Sequence, residues 1–197
     1  MRAALLVLLA TAACSPEIAS GSYLCGAQKA CPPSESCDGV TDTCVITSSA
    51  QPFACEQGTE FPGDDTSATP QQIPALACVS PAYRVSECFP MGDTADWFAF
   101  TTPSNCVTVE VIARIVYPLA YEGISFELWD LAASSQIGTD VPCADSIDDP
   151  AHVERCIKLQ IPPGGSYGLL VKPNGQNNCG GQCSYNRYDL SVQLATP

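Results

Sequence analysis

The chain has 197 residues and carries 21 acidic against 8 basic side chains, a net charge of -13. The basic residues are scattered singly from Arg2 to Arg187, so neither a nucleic-acid backbone nor an anionic membrane surface meets the clustered Lys and Arg it requires. A hydrophobic fraction of 46% with only 15% charged residues excludes a disordered chain and fits one globular domain with something small beside it.

Met1-Arg2, the apolar run from Ala3 to Ala10 and the small residues Thr11-Ala12-Ala13 have the layout of a signal peptide over residues 1–13. That run is too short to span a bilayer, and no later stretch approaches the roughly 20 apolar residues that a spanning helix needs. An exported protein is expected. Two processing routes remain open. Ala10-x-Ala12 suits ordinary cleavage and secretion, whereas Thr11-Ala12-Ala13-Cys14 resembles a bacterial lipobox, in which Cys14 receives lipid and residues 14–24 become a tether to the cell envelope. Cysteine parity favours the lipobox: 13 cysteines are an odd number, and committing Cys14 to lipid leaves twelve for disulfides. The membrane would then be met only through the lipid. The chain has no Asn-x-Ser/Thr sequon, which suits a bacterial exported protein.

The twelve are Cys25, Cys31, Cys37, Cys44, Cys55, Cys78, Cys88, Cys106, Cys143, Cys156, Cys179 and Cys183. Zinc would need close Cys pairs or Cys/His mixtures; there is no Cys-x2-Cys, and His152 is the sole histidine, so disulfides are expected. Residues 25–45 form a polar, turn-rich module with almost nothing to fill a core, so its four cysteines must hold it. Three pairings are open. A loose likeness to epidermal-growth-factor-like and Dickkopf-like modules implies the interlocked first-to-third, second-to-fourth order. Lacking a large apolar anchor, this module is expected to be a spacer rather than a contact surface. Elsewhere, Cys179 with Cys183 and Cys143 with Cys156 are the local pairs that spacing allows.

After a linker over residues 46–54, residues 55–197 alternate. Val107, Val109, Val111, Ala113 and Ile115 recur at period two, as do Phe126 with Leu128, Ile157 with Leu159 and Ile161, and Tyr188 with Leu190, Val192 and Leu194. Turn clusters separate the runs at Tyr117-Pro118, Pro162 to Gly165 and Lys172 to Gly175. No stretch of ten residues has a helical period. The expected fold is all-β: an antiparallel, jelly-roll-like β-sandwich preceded by the disulfide-rich module.

Glu60 to Thr66, Gly92-Asp93-Thr94-Ala95-Asp96-Trp97-Phe98-Ala99-Phe100, Ile161 to Val171 and Tyr188 to Val192, in that order, resemble the bacterial pre-peptidase C-terminal domain over about residues 57–194. That resemblance implies a small β-sandwich serving as a binding or chaperone-like accessory of secreted peptidases and surface lipoproteins. It also implies calcium, with Glu60, Asp64, Asp65, Asp93 and Asp96 as matching ligand positions and Pro62 standing where a second glutamate is expected. The eight cysteines beyond the module and the long loop from Leu131 to Arg155 depart from the family. The other account of the aspartates is that they cap turns.

Gly164-Gly165-Ser166-Tyr167-Gly168 matches the nucleophile-elbow pattern, but a strand follows the serine where a helix is required, and His152 lies upstream of it. No enzyme is expected. The function expected is an exported, lipid-anchored binding module for an extracellular polysaccharide or protein; the alternatives are an accessory or inhibitory subunit of a secreted hydrolase and, behind that, a hydrolase using Ser166. Tyr117, Tyr121 and Tyr185 lie beside turns, and Trp129 alternates with Phe126 and Leu128 onto the expected outer face; these four are the expected ligand contacts, with edge-covering the competing role for the first two.

Overall fold

The computed structural model describes residues 19–56, 60–146, 149–177 and 184–197. Cys14, Cys179 and Cys183, with the lipidation and the tight ring expected of them, lie outside the described residues. Residues 19–24, expected as tether, already belong to the module: Gly21 donates to the Cys44 carbonyl, and Leu24 bridges Thr43.

The module pairs β1 (Glu35–Cys37) with β2 (Cys44–Ile46) and is stapled by Cys25–Cys37 and Cys31–Cys44, the interlocked order. The sandwich follows: β3 (Gln71–Gln72), β4 (Tyr83–Phe89), β5 (Asp96–Thr101), β6 (Val109–Pro118), β7 (Glu122–Asp130), β8 (Ser135–Thr139), β9 (Val141–Pro142), β10 (His152–Ile161), β11 (Ser166–Asn177) and β12 (Asn186–Ala195). One sheet runs β4-β12-β6-β10-β9 and the other β3-β5-β11-β7-β8. From β5 to β7 and from β10 to β12 each connection crosses between sheets, a jelly-roll-like path, and all pairings are antiparallel except β3 with β5.

Alternation builds the core. On β6, Val109, Val111, Ala113 and Ile115 face inward with at most 1% exposure, against Phe126 and Leu128 of β7 and Leu190, Val192 and Leu194 of β12. Two expectations fail at strand ends. Val107 precedes β6 and is 93% exposed, and the run Lys172 to Gly175 continues β11 through a register shift against β7 instead of turning the chain. Pro173 is tolerated at this irregular stretch, where the ladder is already broken.

The module is docked on the sandwich. Tyr121, fully buried, packs with Cys25 and Cys44; Phe53 meets it edge-on at 5.0 Å and stacks on Tyr185 at 4.3 Å. Lys29 donates to the Tyr185 hydroxyl at 2.7 Å, and Arg187 donates to the Gly39 and Val40 carbonyls and pairs with Asp42. The anchor that the module lacks is thus supplied by the sandwich.

Gly39 lies flat against this joint: a Cβ there would sit 2.1 Å from the Phe53 amide nitrogen. Gly39→Ala is expected to push the Phe53 linker away, at a cost of about 1–3 kcal/mol typical of overpacking. Limited proteolysis should then cut between module and sandwich in the variant and spare the wild type.

Candidate functional site

Buried carboxylates gather at one end of the sandwich. Asp96 opens β5 pointing inward, Glu87 occupies an inward register position of β4 between Val85 and Phe89, and the Asp64 carbonyl accepts from the Trp97 amide, holding the preceding segment against β5. Asp93 comes from the turn that its amide closes on Pro90. Glu60, Asp93 and Asp96 each bring an oxygen to within 4.8 Å of the others, and Asp65, expected with them, is exposed at the margin with its side chain against Asp93. Asp64, Glu87 and Asp96 are no more than 5% exposed.

Among the described residues no ion pair reaches this cluster. Burial, reinforced by mutual repulsion, therefore lifts every member: Asp96 to about 9, Glu60 and Glu87 to about 7, Asp64 to about 6, and Asp93 upward as well. The Tyr188 hydroxyl donates to Asp96, and the Gln71 side chain and Phe61 amide to Glu87, which only partly offset that rise. Asp93 Oδ2 is buried with no hydrogen-bond partner. Anionic oxygens converging around an orphaned acceptor, with no lysine or arginine to balance them, fit a hard divalent cation such as calcium. Capping accounts for Asp93 only in part, since its Oδ1 accepts from the Ala95 amide at 3.2 Å while Oδ2 is left over.

Glu87 was not expected from sequence. Its signal was an acid at a position of β4 where the alternation calls for an apolar residue.

The aromatic residues expected to share a ligand do not share a surface. Tyr117 is a core residue, 4% exposed, and Tyr121 and Tyr185 are consumed by the module joint. They flank turns, but the turns are covered. Trp129 lies on the outer face of the other sheet, 5.7 Å from Trp97, with its indole nitrogen donating to Glu127 at 3.0 Å. Ser166 and His152 begin successive strands and are separated by the length of β10, ten residues or roughly 30 Å. His152 instead bonds Asp149 at 2.8 Å.

No family model and no curated protein sequence matches the chain. Among solved structures it is similar to the pre-peptidase C-terminal domain of a collagenase from Bacillus anthracis, at 18% identity over 63% of this chain and 94% of that one, with a TM-score of 0.41. It is also similar to PliG, a periplasmic inhibitor of g-type lysozyme, from Salmonella Typhimurium (15% identity, 64% and 99% covered, TM-score 0.40). The Aeromonas hydrophila PliG gives 13% identity, 64% and 96% coverage and a TM-score of 0.36.

The raised carboxylates fix the sign of a pH effect. Between their unfolded values near 4 and their folded values of about 6 to 9, the folded chain binds more protons than the unfolded one, so stability is lost as pH rises through that window. Asp38 and Asp149, held low by hydrogen bonds, act in the opposite sense below the ordinary carboxylate range. In chelator, the urea midpoint should fall steadily from pH 4.5 to pH 9, and added calcium should restore it at pH 7 and above. A midpoint that rises over this window in chelator would contradict the assignment.

Proposed function

We propose that the chain is an exported, non-catalytic binding module of the bacterial cell envelope, anchored through lipid on Cys14, whose sandwich is closed at the carboxylate end by calcium and whose ligand is an extracellular protein. The observation that carries the cation is Asp93 Oδ2, buried and unpartnered beside Glu60 and Asp96. Glu60, Asp93 and Asp96 would hold the ion, with Asp64 and Glu87 adding charge behind them. Bound there, calcium supplies charge neutralisation. The chain's own residues do the rest: Tyr188 fixes Asp96 from β12, Gln71 steadies Glu87 from β3, and the Asp64 carbonyl anchors the incoming segment to β5. Recognition is the role left to the outer faces, because the serine and histidine that could suggest hydrolysis stand at opposite ends of β10. An accessory or inhibitory subunit of a secreted hydrolase is the same reading with the partner specified.

One observation favours a polysaccharide instead. Trp97 and Trp129 are half-exposed together on the outer face of the second sheet, and Glu127, itself held by Lys172 at 2.7 Å, fixes the Trp129 ring.

Isothermal titration with calcium should show one binding event, and Asp93→Asn should weaken it at least about tenfold, by the loss of one anionic ligand. Metabolic labelling with palmitate should mark the wild type and not Cys14→Ser. Cross-linking in envelope extracts should recover a protein partner; retention on insoluble polysaccharide that Trp129→Ala abolishes would favour the glycan reading in its place.

A further inference from the structure

The outer face of the first sheet is the floor of a cleft of about 1140 Å³. Its floor is Ile112, Arg114 and Val116 on β6 with Ser191 and Gln193 on β12, the positions that alternate with the core. Both walls are irregular segments held by covalent bonds. Residues 54–56 form one, tied to β4 by Cys55–Cys88; the other, bearing Asp145, is tied to β10 by Cys143–Cys156. Two disulfides thus fix the width of a cleft that would otherwise be bounded by loops. A fixed shape lowers the ordering cost of binding.

Charge is distributed unevenly over this cleft. Among the described residues, with inward-facing Glu87 set aside, carboxylates outnumber arginines six to three along its lining. Arg187 is spent on the module, and Arg114 is shared by Glu154 and Asp145. Asp145 is 83% exposed at the side chain, and Asp149 stands nearby with only His152 and local turn contacts. Arg84, on β4 at the far side, has no side-chain partner among the described residues and lies three strand spacings away, about 14 Å. Among the described residues the cleft therefore has an acidic wall, Ile112 and Val116 as apolar contacts on either side of Arg114 along its floor, and Arg84 as its one unpaired cation opposite.

We propose that this cleft is a preformed docking site for a basic loop of a protein partner. A lysine or arginine of that loop lays its aliphatic stem on Val116 and sets its charge at Asp145 and Asp149, while a carboxylate of the same loop meets Arg84 and fixes the direction of entry. The proposal rests on the reading of the chain as a binding module and names its surface and the chemistry of its partner. Neutral glycans have no use for this charge arrangement, which is why a protein is the occupant.

The probes are disulfide-closed loop peptides with Lys-Arg, Glu-Asp or Ser-Gly at the apex, followed by fluorescence anisotropy against the full chain at low and physiological salt. The basic-apex loop should bind at least about tenfold tighter than the other two, more so at low salt. Asp145→Asn with Asp149→Asn, and separately Ser191→Trp, which fills the floor without changing charge, should each weaken it about tenfold or more. An equal charge loss away from the cleft, Glu35→Gln with Asp130→Asn, should leave binding within about twofold. Equal weakening by that control would show net charge at work and overturn the proposal. Absence of binding by every loop also overturns it; if envelope cross-linking still recovers a protein in that case, the module binds through another face, and if it recovers none, the binding-module reading falls too.

Discussion

Period-two alternation on β6 is the constraint that decides where function can reside. Val109, Val111, Ala113 and Ile115 are committed to the interior, so each intervening residue is forced outward, and Ile112, Arg114 and Val116 become a surface by the same geometry that makes their neighbours a core. Partner strands of both sheets obey the same rule. What remains for binding is the outer faces and the ends, where strands stop and inward positions need no longer be apolar. The carboxylates sit at such an end and the cleft on such a face.

Disulfides extend this order to the parts that alternation cannot organise. The module has no core of its own, and before β4 and after β9 most residues have no ladder to hold them, the two-residue β3 excepted. Each is bonded within itself or to a strand or its approach: Cys25–Cys37 and Cys31–Cys44 inside the module, Cys55–Cys88 and Cys78–Cys106 before β4 and β6, Cys143–Cys156 onto β10. At a typical 2–4 kcal/mol each, such bonds are comparable with the whole net stability of a domain, which explains how so irregular a chain stays folded. Arg187 does the equivalent without covalency: it leaves β12 to satisfy two module carbonyls and Asp42 at once, and Phe53 lies under its guanidinium at 4.9 Å.

The legible parts of the sequence were those with a period or a short range. Alternation disclosed the strands and the core, Cys143 and Cys156 disclosed their bridge by spacing, and the resemblance to the pre-peptidase C-terminal domain pointed to Glu60, Asp64, Asp93 and Asp96 among the converging carboxylates. Glu87 was hidden because it is 27 residues from Glu60 and reaches the cluster through sheet pairing with Tyr188, a relation that exists only once β4 lies beside β12. The tyrosines were misplaced for the converse reason. Position beside a turn says that a residue is near the surface of the sandwich, and it cannot say that a separate module will cover that surface, as it covers Tyr121 and Tyr185. The cleft was illegible as a unit, since its floor is drawn from two strands far apart in sequence and its walls from segments about 90 residues apart.

The two functional regions are opposite faces of the same strands. Tyr188 points inward to Asp96, while Arg187 and Asp189 on either side of it point outward, one to the module and the other to Ser86 of β4. Glu87 points inward beside Asp64, and the adjacent Cys88 points outward to the disulfide that fixes one wall of the cleft. Because a strand cannot shift on one face alone, repulsion between Glu87 on β4 and the carboxylates beside β5, which pushes the two sheets apart, also displaces β4 and the wall bonded to it. Neutralising the cluster, by protons or by a cation, therefore steadies β4, and with it one wall of the proposed docking cleft, from behind.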